Sequence, residues 1–293
     1  MKFIKFKKYK SFILGFCLTL IVVVATNWLI LNLTAPRIPI LGFHSIIDGQ
    51  QNNASVSEQQ LQMDYTKQDL EQFLDYLVRN NFWFLSAQEL YNYFIAKTAA
   101  LPTDRIGQRP IMISFDDSYK TYYTQLLPIL ENLEKTYNKK VKVVLFINPG
   151  FLAKDEKSST HLVCGDLREG LRKGFYDIQS HGQNHKDLTK LNPQDLVYEL
   201  AEAQTQLRKC TEGLELSPTV ATHLAYPFGA VNKQVEAYVS KYYLSGYLYN
   251  SRMFKLGWLR SAYQIPRLSV NREKPPSRLI EKAERALKVT QKN

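Results

Sequence analysis

Residues 111–118 read Ile-Met-Ile-Ser-Phe-Asp-Asp-Ser, a mostly apolar run that ends on two adjacent carboxylates. A short apolar run is typical of a strand that is buried on both faces of a parallel sheet. Asp116 and Asp117 then lie at the carboxyl end of that strand, where barrel enzymes place the side chains that carry their chemistry. An Asp pair at a strand end is more often simple turn chemistry, so the pair needs support from elsewhere in the chain.

A second polar element is the segment Ser-His-Gly-Gln-Asn-His at residues 180–185. A His-x-x-x-His pair by itself is commonly a surface coincidence. Combined with Asp117, however, His181 and His185 make a two-His, one-Asp ligand set that leaves an open position for water on a divalent ion. Asp116 is then the neighbouring base that can take a proton from that water. The combination predicts a metal-dependent hydrolase.

A third strand end carries Leu-Ala-Tyr-Pro-Phe-Gly at residues 224–229, which turns on its Pro and Gly. Taken alone, this segment is an ordinary loop between a strand and a helix. Three strand ends with complementary parts of one hydrolytic site are harder to explain by chance, because barrel enzymes assemble their sites from several strands. We therefore expect the three segments to meet.

These motifs resemble those of the polysaccharide deacetylase family, carbohydrate esterase family 4. The family's first motif, Thr-Phe-Asp-Asp-Gly, is matched by residues 114–118 with Ser118 in place of Gly. Its second motif, His-Ser/Thr-x-x-His, is matched by residues 181–185. In its third motif, Arg-x-Pro-Tyr-Gly, residues 227–229 align, but Ala225 and its neighbours supply no Arg. The late Leu-x-x-His-Asp motif is missing, since no histidine follows His223.

The start of the domain indicates why the late motif is missing. Residues 40–46, Ile-Leu-Gly-Phe-His-Ser-Ile, resemble the Tyr-His motif that opens the permuted branch of the family, which is similar to poly-N-acetylglucosamine deacetylases. In that branch the general-acid histidine comes from the first strand, and the resemblance gives this place to His44. Residues 265–268, Ile-Pro-Arg-Leu, resemble the Leu-Pro-Arg-Ile segment near the end of such domains, so Arg267 is the candidate replacement for the missing motif Arg. The resemblance covers roughly residues 38–270.

The resemblance implies a role for each of these residues. Asp116 is the base, His44 protonates the departing amine, and the backbone N–H of Phe228 helps the metal to stabilise the oxyanion. Zinc is the first expectation for the metal, although other first-row ions accept mixed nitrogen and oxygen ligands. The implied substrate is an N-acetylhexosamine-containing polysaccharide. The implied metal ligands are Asp117, His181 and His185.

Two other functions fit the same residues. Ser118, the absent motif Arg and the missing late His are what a catalytically inactive polysaccharide-binding or scaffold protein on this fold would also have. An O-acetyl esterase is the second alternative, because an ester needs less help from His44 than an amide does. Fold resemblance alone does not separate these functions.

Apolar runs alternate with helical patterns along residues 38–293, and this alternation predicts one domain with a distorted (β/α) barrel of about seven parallel strands. Ser86 and Glu89 form a capping box that opens a helix. Residues 50–63 are polar, and we expect a loop there that is mobile or covers the cleft. The predicted strands cover residues 39–44, 82–85, 111–115, 141–147, 176–180, 219–225 and 246–249. The predicted helices cover residues 66–80, 86–97 and 119–137, and two more begin near residues 193 and 231.

Residues 1–37 form a separate segment, in which five lysines precede an uncharged run at residues 12–33. That run is long enough to cross the ~30 Å hydrocarbon core of a bilayer. The lysines should stay in the cytoplasm, which directs the rest of the chain outside, to the periplasm or cell surface. We therefore expect an uncleaved signal-anchor helix that binds the membrane, with a cleaved signal peptide as the alternative.

Charge and cysteines fit an exported domain. The formal net charge is +11, of which residues 1–37 contribute six. The remaining +5 could attract an anionic polymer but is more often a solvated face, and nucleic acid is not expected outside the cell. Cys164 and Cys210 would both lie in an oxidising compartment, where they could pair. Two histidines are left without a role: His161 in a polar insertion, expected to be exposed, and His223 in an apolar strand, expected to be a core residue.

Overall fold

The computed structural model describes residues 16–30, 34–49, 63–155, 160–214 and 219–290. The chain divides into two compact units, Met1–Pro36 and Arg37–Asn293. Almost all of the polar loop predicted at residues 50–63 lies outside the described residues.

In the first unit, residues 16–30 form a helix with exposed side chains. Among the described residues, no helix combines the length and the hydropathy that a membrane crossing needs. Both ends of the predicted span, residues 12–15 and 31–33, lie outside the described residues. The described part of the chain therefore does not support the predicted membrane anchor.

The second unit is built on short strands that follow the apolar runs of the sequence. Within the described residues the strands are, in chain order, β1 Arg37–Ile38, β2 Ile40–Phe43, β3 Ile46–Ile47, β4 Tyr65–Thr66, β5 Phe82–Phe84, β6 Arg109–Asp116, β7 Val143–Ile147, β8 Tyr176–Ser180, β9 His223–Ala225, β10 Ser245–Tyr247, β11 Phe254–Lys255 and β12 Leu268–Ser269.

Seven of these strands form one parallel sheet, in the order β10-β9-β8-β7-β6-β2-β12. β5 adds to the first half of β6, also in parallel. The predicted set of about seven parallel strands is therefore confirmed. The ladder does not close on itself, because β10 and β12 are its two edges, and the bridge between Tyr247 and Ile265 lies at this seam. Two small pairs complete the strands: β1 with β11, antiparallel, and β3 with β4, parallel.

Helices connect the strands, as the sequence predicts. The first begins after the N-cap Thr66, whose side chain accepts a hydrogen bond from the backbone of Asp69. The predicted capping box is also present, since Ser86 and Glu89 exchange hydrogen bonds of 2.8 and 3.1 Å. Two predicted helices include π-helical segments, Tyr91–Ile95 and Tyr122–Leu126. The α-helices are Lys67–Arg79, Ala87–Leu90, Leu127–Tyr137, Cys164–Arg172, Pro193–Cys210, Lys233–Tyr242 and Pro276–Glu284.

The core lies on both faces of the parallel sheet, because side chains alternate along each strand. On β6, Ile111, Ile113 and Phe115 join one apolar cluster, and Met112 joins another on the opposite face. This alternation puts Asp116 on the same face as Met112. Burial on both faces explains why the run reads as continuously apolar.

The strand register decides where the polar residues meet. Phe43 pairs with Phe115, Asp116 with Phe146, and Ile147 with Ser180. Since the strands are parallel, the residues that follow them emerge at one edge of the sheet. His44, Asp117 and His181 are therefore neighbours at that edge.

A disulfide links Cys164 with Cys210, a pairing that the sequence leaves open. The bond joins the first residue of the helix Cys164–Arg172 to the last residue of the helix Pro193–Cys210, with 5.4 Å between the Cα atoms. A loop of this length contributes roughly 4 kcal/mol of stability on the chain-entropy model.

His223 is a core histidine, as predicted from its apolar strand. Its side chain is fully buried, and its two ring nitrogens lie 2.7 Å from Ser245 Oγ and 3.3 Å from Gln88 Oε1. Burial lowers the pKa of His223 to about 3, because the charged imidazolium would lose its hydration.

We expect His223 to make the protein less stable in acid. Below about pH 6.5 the unfolded chain protonates His223 but the folded chain does not, so stability falls by about 1.4 kcal/mol per pH unit towards pH 3. In His223→Gln this pH-dependent contribution to stability is absent. Urea unfolding should therefore give a stability advantage of wild type over His223→Gln that shrinks by roughly 2 kcal/mol between pH 6.5 and pH 5. An advantage that does not change with pH would contradict the assignment.

Candidate metal centre and active site

The turn after β6 presents Asp117 and contains Ser118 at the position of the family's glycine. Asp117 and Ser118 both have left-handed backbones, with φ of 78° and 62°. The buried hydroxyl of Ser118 accepts a hydrogen bond of 2.9 Å from the backbone N–H of Asn148 and donates one of 3.3 Å to its carbonyl. These two bonds connect the ends of β6 and β7, so the serine is accommodated in a conformation that glycine would adopt more easily.

Asp117, His181 and His185 are brought together as predicted, with ligand atoms all within 4.8 Å of one another. Oδ1 of Asp117 lies 3.4 Å from Nε2 of His181 and 3.3 Å from Nε2 of His185. This buried oxygen accepts no hydrogen bond from any described residue. An oxygen without a hydrogen-bond donor, facing two imidazole nitrogens, is a donor set that fits a divalent metal ion.

The ring of His181 is oriented by the backbone of the third motif. Its Nδ1 lies 2.8 Å from the carbonyl oxygen of Ala225, which can only accept a hydrogen bond. The proton of the neutral ring is therefore assigned to Nδ1, which leaves the lone pair of Nε2 directed at Asp117. Ala225 stands at the position of the Arg in the family's third motif. Its contribution to the site is the backbone carbonyl that orients His181.

Burial and neighbouring side chains shift the pKa values of Asp117 and His185. Burial alone would raise the pKa of Asp117, but the imidazoles of His181, His44 and His185 outweigh it and hold the pKa well below its usual range. Burial, reinforced by His181, lowers the pKa of His185 to about 4. Asp117 is thus ionised and His185 neutral at pH 7, which are the states in which both residues bind metals.

Glu199, on the helix Pro193–Cys210, holds the loop that carries both histidines. The carboxylate is 3% exposed and accepts hydrogen bonds from the backbone and the side-chain amide of Asn184, at 2.8 and 2.9 Å. The backbone carbonyl of Glu199 accepts a further bond from the N–H of Gln183. His185 has a left-handed backbone, φ 53°, so the loop needs this support to present its ring.

We expect Glu199→Gln to weaken metal binding about 10- to 100-fold, the usual effect of losing a residue that orients a ligand. The amide keeps the size of Glu199 but places an N–H₂ group against one of the two donors of Asn184. The affinity for Zn²⁺ is measured by calorimetric titration of protein from which a chelator has removed the metal. Glu202→Gln is the matched control, because Glu202 lies on the same helix and accepts its hydrogen bond from Gln206 of that helix, not from the histidine loop. Equal affinities in the two variants would remove Glu199 from the site.

Asp116 is bound by Arg267 through two parallel hydrogen bonds, Nη1 to Oδ1 at 2.7 Å and Nη2 to Oδ2 at 2.8 Å. Both side chains are buried, Arg267 completely. Burial by itself would raise the pKa of Asp116, but the guanidinium of Arg267 and the nearby His181 keep the pKa below its ordinary value. Asp116 is therefore ionised at neutral pH, and its Oδ2 lies 3.9 Å from Nε2 of His181.

Further contacts fix the position of Arg267. Its Nε donates to the carbonyl of Leu248 at 3.0 Å, and Nη1 also donates to Ser114 Oγ at 3.1 Å. The guanidinium lies over the rings of Phe146 and Tyr249, at 5.0 and 5.5 Å from their centroids. Four of the five N–H groups of this fully buried cation donate to protein atoms, so Arg267 serves to hold Asp116.

His44 completes the group from the end of β2. Its Nε2 lies 3.7 Å from Oδ2 of Asp117, and its ring meets that of Tyr249 edge-on at 5.3 Å. Nδ1 is buried and has no hydrogen-bond partner among the described residues. Burial lowers the pKa of His44, although Asp117 and Asp116 oppose the shift.

The polar side chains open into a pocket of about 310 Å³, which His44, Asp116, Asp117, His181 and His185 all line. Phe228, also predicted as a site residue, lies at this pocket with its side chain 67% exposed and its ring 4.5 Å from that of His185.

The expectation of an exposed His161 is wrong. His161 is partly buried, because its ring stacks on Tyr119 at 6.3 Å and lies 5.7 Å from that of Phe151. The polar insertion thus packs beside the site, since Tyr119 lines the pocket of Asp117.

Comparison with known families identifies the domain. Residues 104–246 match the family model described as polysaccharide deacetylase. This part of the chain is a polysaccharide deacetylase domain. The matched region contains the Asp pair, both histidines and the Pro-Phe-Gly segment, and excludes His44 and Arg267.

One curated protein resembles this chain in sequence, and solved structures share its fold at low identity. YxkH of Bacillus subtilis (strain 168), whose name places it among polysaccharide deacetylases, is 25% identical over 198 residues, 68% of this chain and 59% of its own length. The deacetylase PplD of Streptococcus pyogenes, solved with acetate, has a TM-score of 0.68 at 20% identity and covers 85% of this chain and 98% of its own. A de-N-acetylase from Aggregatibacter actinomycetemcomitans has a TM-score of 0.62 at 17% identity, covering 84% and 99%.

Sequence reasoning missed the residues that support the deacetylase site. Glu199 is one buried carboxylate on a long amphipathic helix, and nothing in its spacing distinguishes it from a surface Glu. Tyr249 and Asn148 follow strand ends, as do the residues that sequence reasoning found. Polar or aromatic residues just beyond β7 and β10 are therefore the signal that could have found them.

Proposed function

We propose that this protein is a metal-dependent hydrolase that removes N-acetyl groups from an N-acetylhexosamine-containing polysaccharide. The observation that carries the proposal is the geometry of the triad, in which Oδ1 of Asp117 faces Nε2 of both His181 and His185 within 3.4 Å. Asp116 lies beside the triad as a buried, ionised carboxylate. The de-N-acetylase among the structural relatives supports amide chemistry on this fold.

Wherever the sequence departs from the family's motifs, another contact in the site compensates for the missing residue. This compensation supports an active enzyme. Ser118 fits the glycine position because its hydroxyl bonds to Asn148. Arg267 pairs with Asp116 from another strand, which replaces the missing motif Arg. His44 lines the pocket, where the late histidine would otherwise be needed.

The roles of the side chains follow from their positions. Asp117, His181 and His185 would hold a divalent ion, with zinc the first candidate. When bound, such an ion supplies Lewis acidity, which polarises the acetyl carbonyl and acidifies water. Asp116 accepts the proton of the attacking water, since Arg267 keeps its carboxylate ionised and oriented. The backbone N–H of Phe228 donates to the carbonyl oxygen as that oxygen gains charge.

Completion of the reaction requires a proton on the leaving group. An amine leaves poorly until it is protonated, so the C–N bond breaks as the imidazolium form of His44, which the charges of Asp117 and Asp116 favour, gives its Nε2 proton to the amine nitrogen and becomes neutral. The products are acetate and a free hexosamine amine. The ring of Tyr249, perpendicular to that of His44 at 5.3 Å, packs beside it in the same pocket.

Acetate release from an N-acetylglucosamine hexamer tests the proposal. We expect one free amine for each acetate, with loss of the reaction after chelation. An O-acetylated oligomer of the same length is the comparison substrate. Acetate from the O-acetyl substrate alone would make the protein an esterase, and acetate from neither substrate would leave a binding or scaffold protein.

We further propose that the domain works outside the cytoplasm. The disulfide between Cys164 and Cys210 supports this, since such bonds persist in oxidising compartments. A protease that cannot enter intact cells should degrade the domain on cells, or on spheroplasts where an outer membrane shields it. Resistance in both preparations would contradict an extracytoplasmic site.

A further inference from the structure

A second cavity lies at the open seam of the sheet, apart from the pocket of Asp117. Its volume is about 610 Å³, twice the 310 Å³ of that pocket. It is formed by the segment that runs from the end of β10 to the start of β12, the two edge strands. We call it the seam pocket. Its lining includes the polar residues Asn250, Arg252, Lys255, Arg260 and Gln264, the exposed Trp258 and the buried Phe254.

The seam pocket is positively charged. Arg252, Lys255 and Arg260 line it, and none of its lining residues is acidic. Glu236 approaches this loop, but it accepts hydrogen bonds from Ser261 and from the amide of Gln264, at 2.7 Å for the latter. The side chains of Arg252 and Arg260 are exposed and form no ion pair within the described part of the chain. Guanidinium groups in such a setting attract carboxylates and phosphates, which they bind through two parallel hydrogen bonds.

An aromatic surface accompanies the charge. Trp258 is 39% exposed, and Nζ of Lys255 lies 5.7 Å from its ring centroid. A flat indole face offers apolar area to the C–H face of a sugar ring while its edges remain polar. Asn250 and Gln264, both exposed, add amide groups that can donate to and accept from hydroxyls. Cations, amides and one aromatic face together suit a sugar that carries a negative charge.

The seam pocket and the pocket of Asp117 share one stretch of backbone. Leu248 and Asn250 line the seam pocket, and Tyr249 between them lines the pocket of Asp117. A polysaccharide held at the metal centre by one acetamide group has further sugar residues that extend away from it. Those residues can reach a second site on the same polypeptide segment.

We propose that the seam pocket binds an acidic sugar residue, charged through a carboxylate or a phosphate, of the polysaccharide that the deacetylase acts on. The inference rests on the proposed function for the identity of the polymer, but not for the chemistry of the pocket. A sugar is favoured over nucleic acid because the pocket offers one exposed aromatic ring, that of Trp258, with two amides, whereas single-stranded nucleic acid is bound by successive stacking aromatic side chains.

Binding measured on chelated full-length protein tests the seam pocket without catalysis. The probes are a hyaluronan hexasaccharide, which carries carboxylates, a 6-phosphorylated N-acetylglucosamine hexamer, the neutral hexamer and a single-stranded oligothymidylate. We expect Arg252→Gln/Arg260→Gln to weaken at least one of the two acidic sugars about tenfold, the combined effect of two exposed charges, and not the neutral hexamer. Comparison of the carboxylated probe with the phosphorylated probe shows which acidic group the seam pocket binds. Lys209→Gln/Lys241→Gln removes the same charge elsewhere and should bind like wild type.

The outcomes separate this inference from the proposed function. Equal affinity of the arginine double variant and wild type for both acidic sugars would overturn the seam pocket as a binding site. Tighter binding of oligothymidylate, lost in the same variant, would overturn the sugar assignment. Trp258→Ala should weaken the acidic sugar but not inorganic phosphate, and equal loss of both would remove the stacking role. Acetate release from the neutral hexamer by wild-type protein tests the proposed function separately, whatever the seam pocket binds.

Discussion

Replacement of His44 by alanine should lower the rate of N-deacetylation by about 10²- to 10⁴-fold, the usual contribution of a positioned proton donor. The reason is chemical, because the amine cannot leave without a proton and the Nε2 atom of His44 faces the site. Bound metal should be retained, since the three candidate ligands are untouched. Acetate release from the N-acetylglucosamine hexamer measures the rate.

An activated aryl acetate provides the internal control for His44. Its phenolate leaves without a proton, so His44→Ala should lose far less activity on this ester than on the amide. His44→Gln, which keeps most of the volume and fills the space beside Tyr249, should behave in the same way. Equal loss on both substrates in a folded, metal-loaded protein would remove His44 from the mechanism.

Replacement of Arg267 by methionine should destabilise the protein by about 3 to 5 kcal/mol, the cost of leaving a buried charge without its partner. Arg267 is fully buried and satisfies both oxygens of Asp116. The loss of the guanidinium also raises the pKa of Asp116, because burial is then opposed by less positive charge. Deacetylation should fall with it, since a protonated Asp116 cannot serve as base.

A double variant separates the effect on stability from the effect on deacetylation. Asp116→Asn/Arg267→Met removes both charges, so its free energy of unfolding in urea should recover most of the loss seen in Arg267→Met, while activity stays absent. Arg267→Lys keeps a positive charge without the paired geometry and should lie between wild type and Arg267→Met in stability. A free energy of unfolding for Arg267→Met within about 1 kcal/mol of wild type would contradict the account of the pair.

The sequence predicts the parts of the fold that depend on local patterns. Alternating apolar runs give the parallel strands, and the Ser86 capping box gives a helix start. The motif order also leads to Asp116, Asp117, His181 and His185, because strand ends in a parallel sheet meet at one edge. These features need only the spacing of residues within each segment.

Contacts between distant segments could not be predicted in the same way. The pairing of Arg267 with Asp116 spans 151 positions and depends on the register of β12 against β2. The support of the histidine loop by Glu199 depends on the packing of one helix face. The open seam between β10 and β12 depends on the sheet as a whole, since closure is decided by strand tilt and stagger. The charge cluster of the seam pocket becomes visible only once that segment is folded.

The most direct test of the account is a titration of the chelated protein with Zn²⁺, followed by acetate release from the N-acetylglucosamine hexamer. We expect almost no acetate before metal is added. The rate of acetate release should then rise to a plateau at one ion per chain. Neither His181→Ala nor His185→Ala should reach this plateau at the same metal concentration. Full acetate release from the chelated wild type, or an unchanged plateau in both variants, would contradict a metal-dependent deacetylase built on Asp117, His181 and His185.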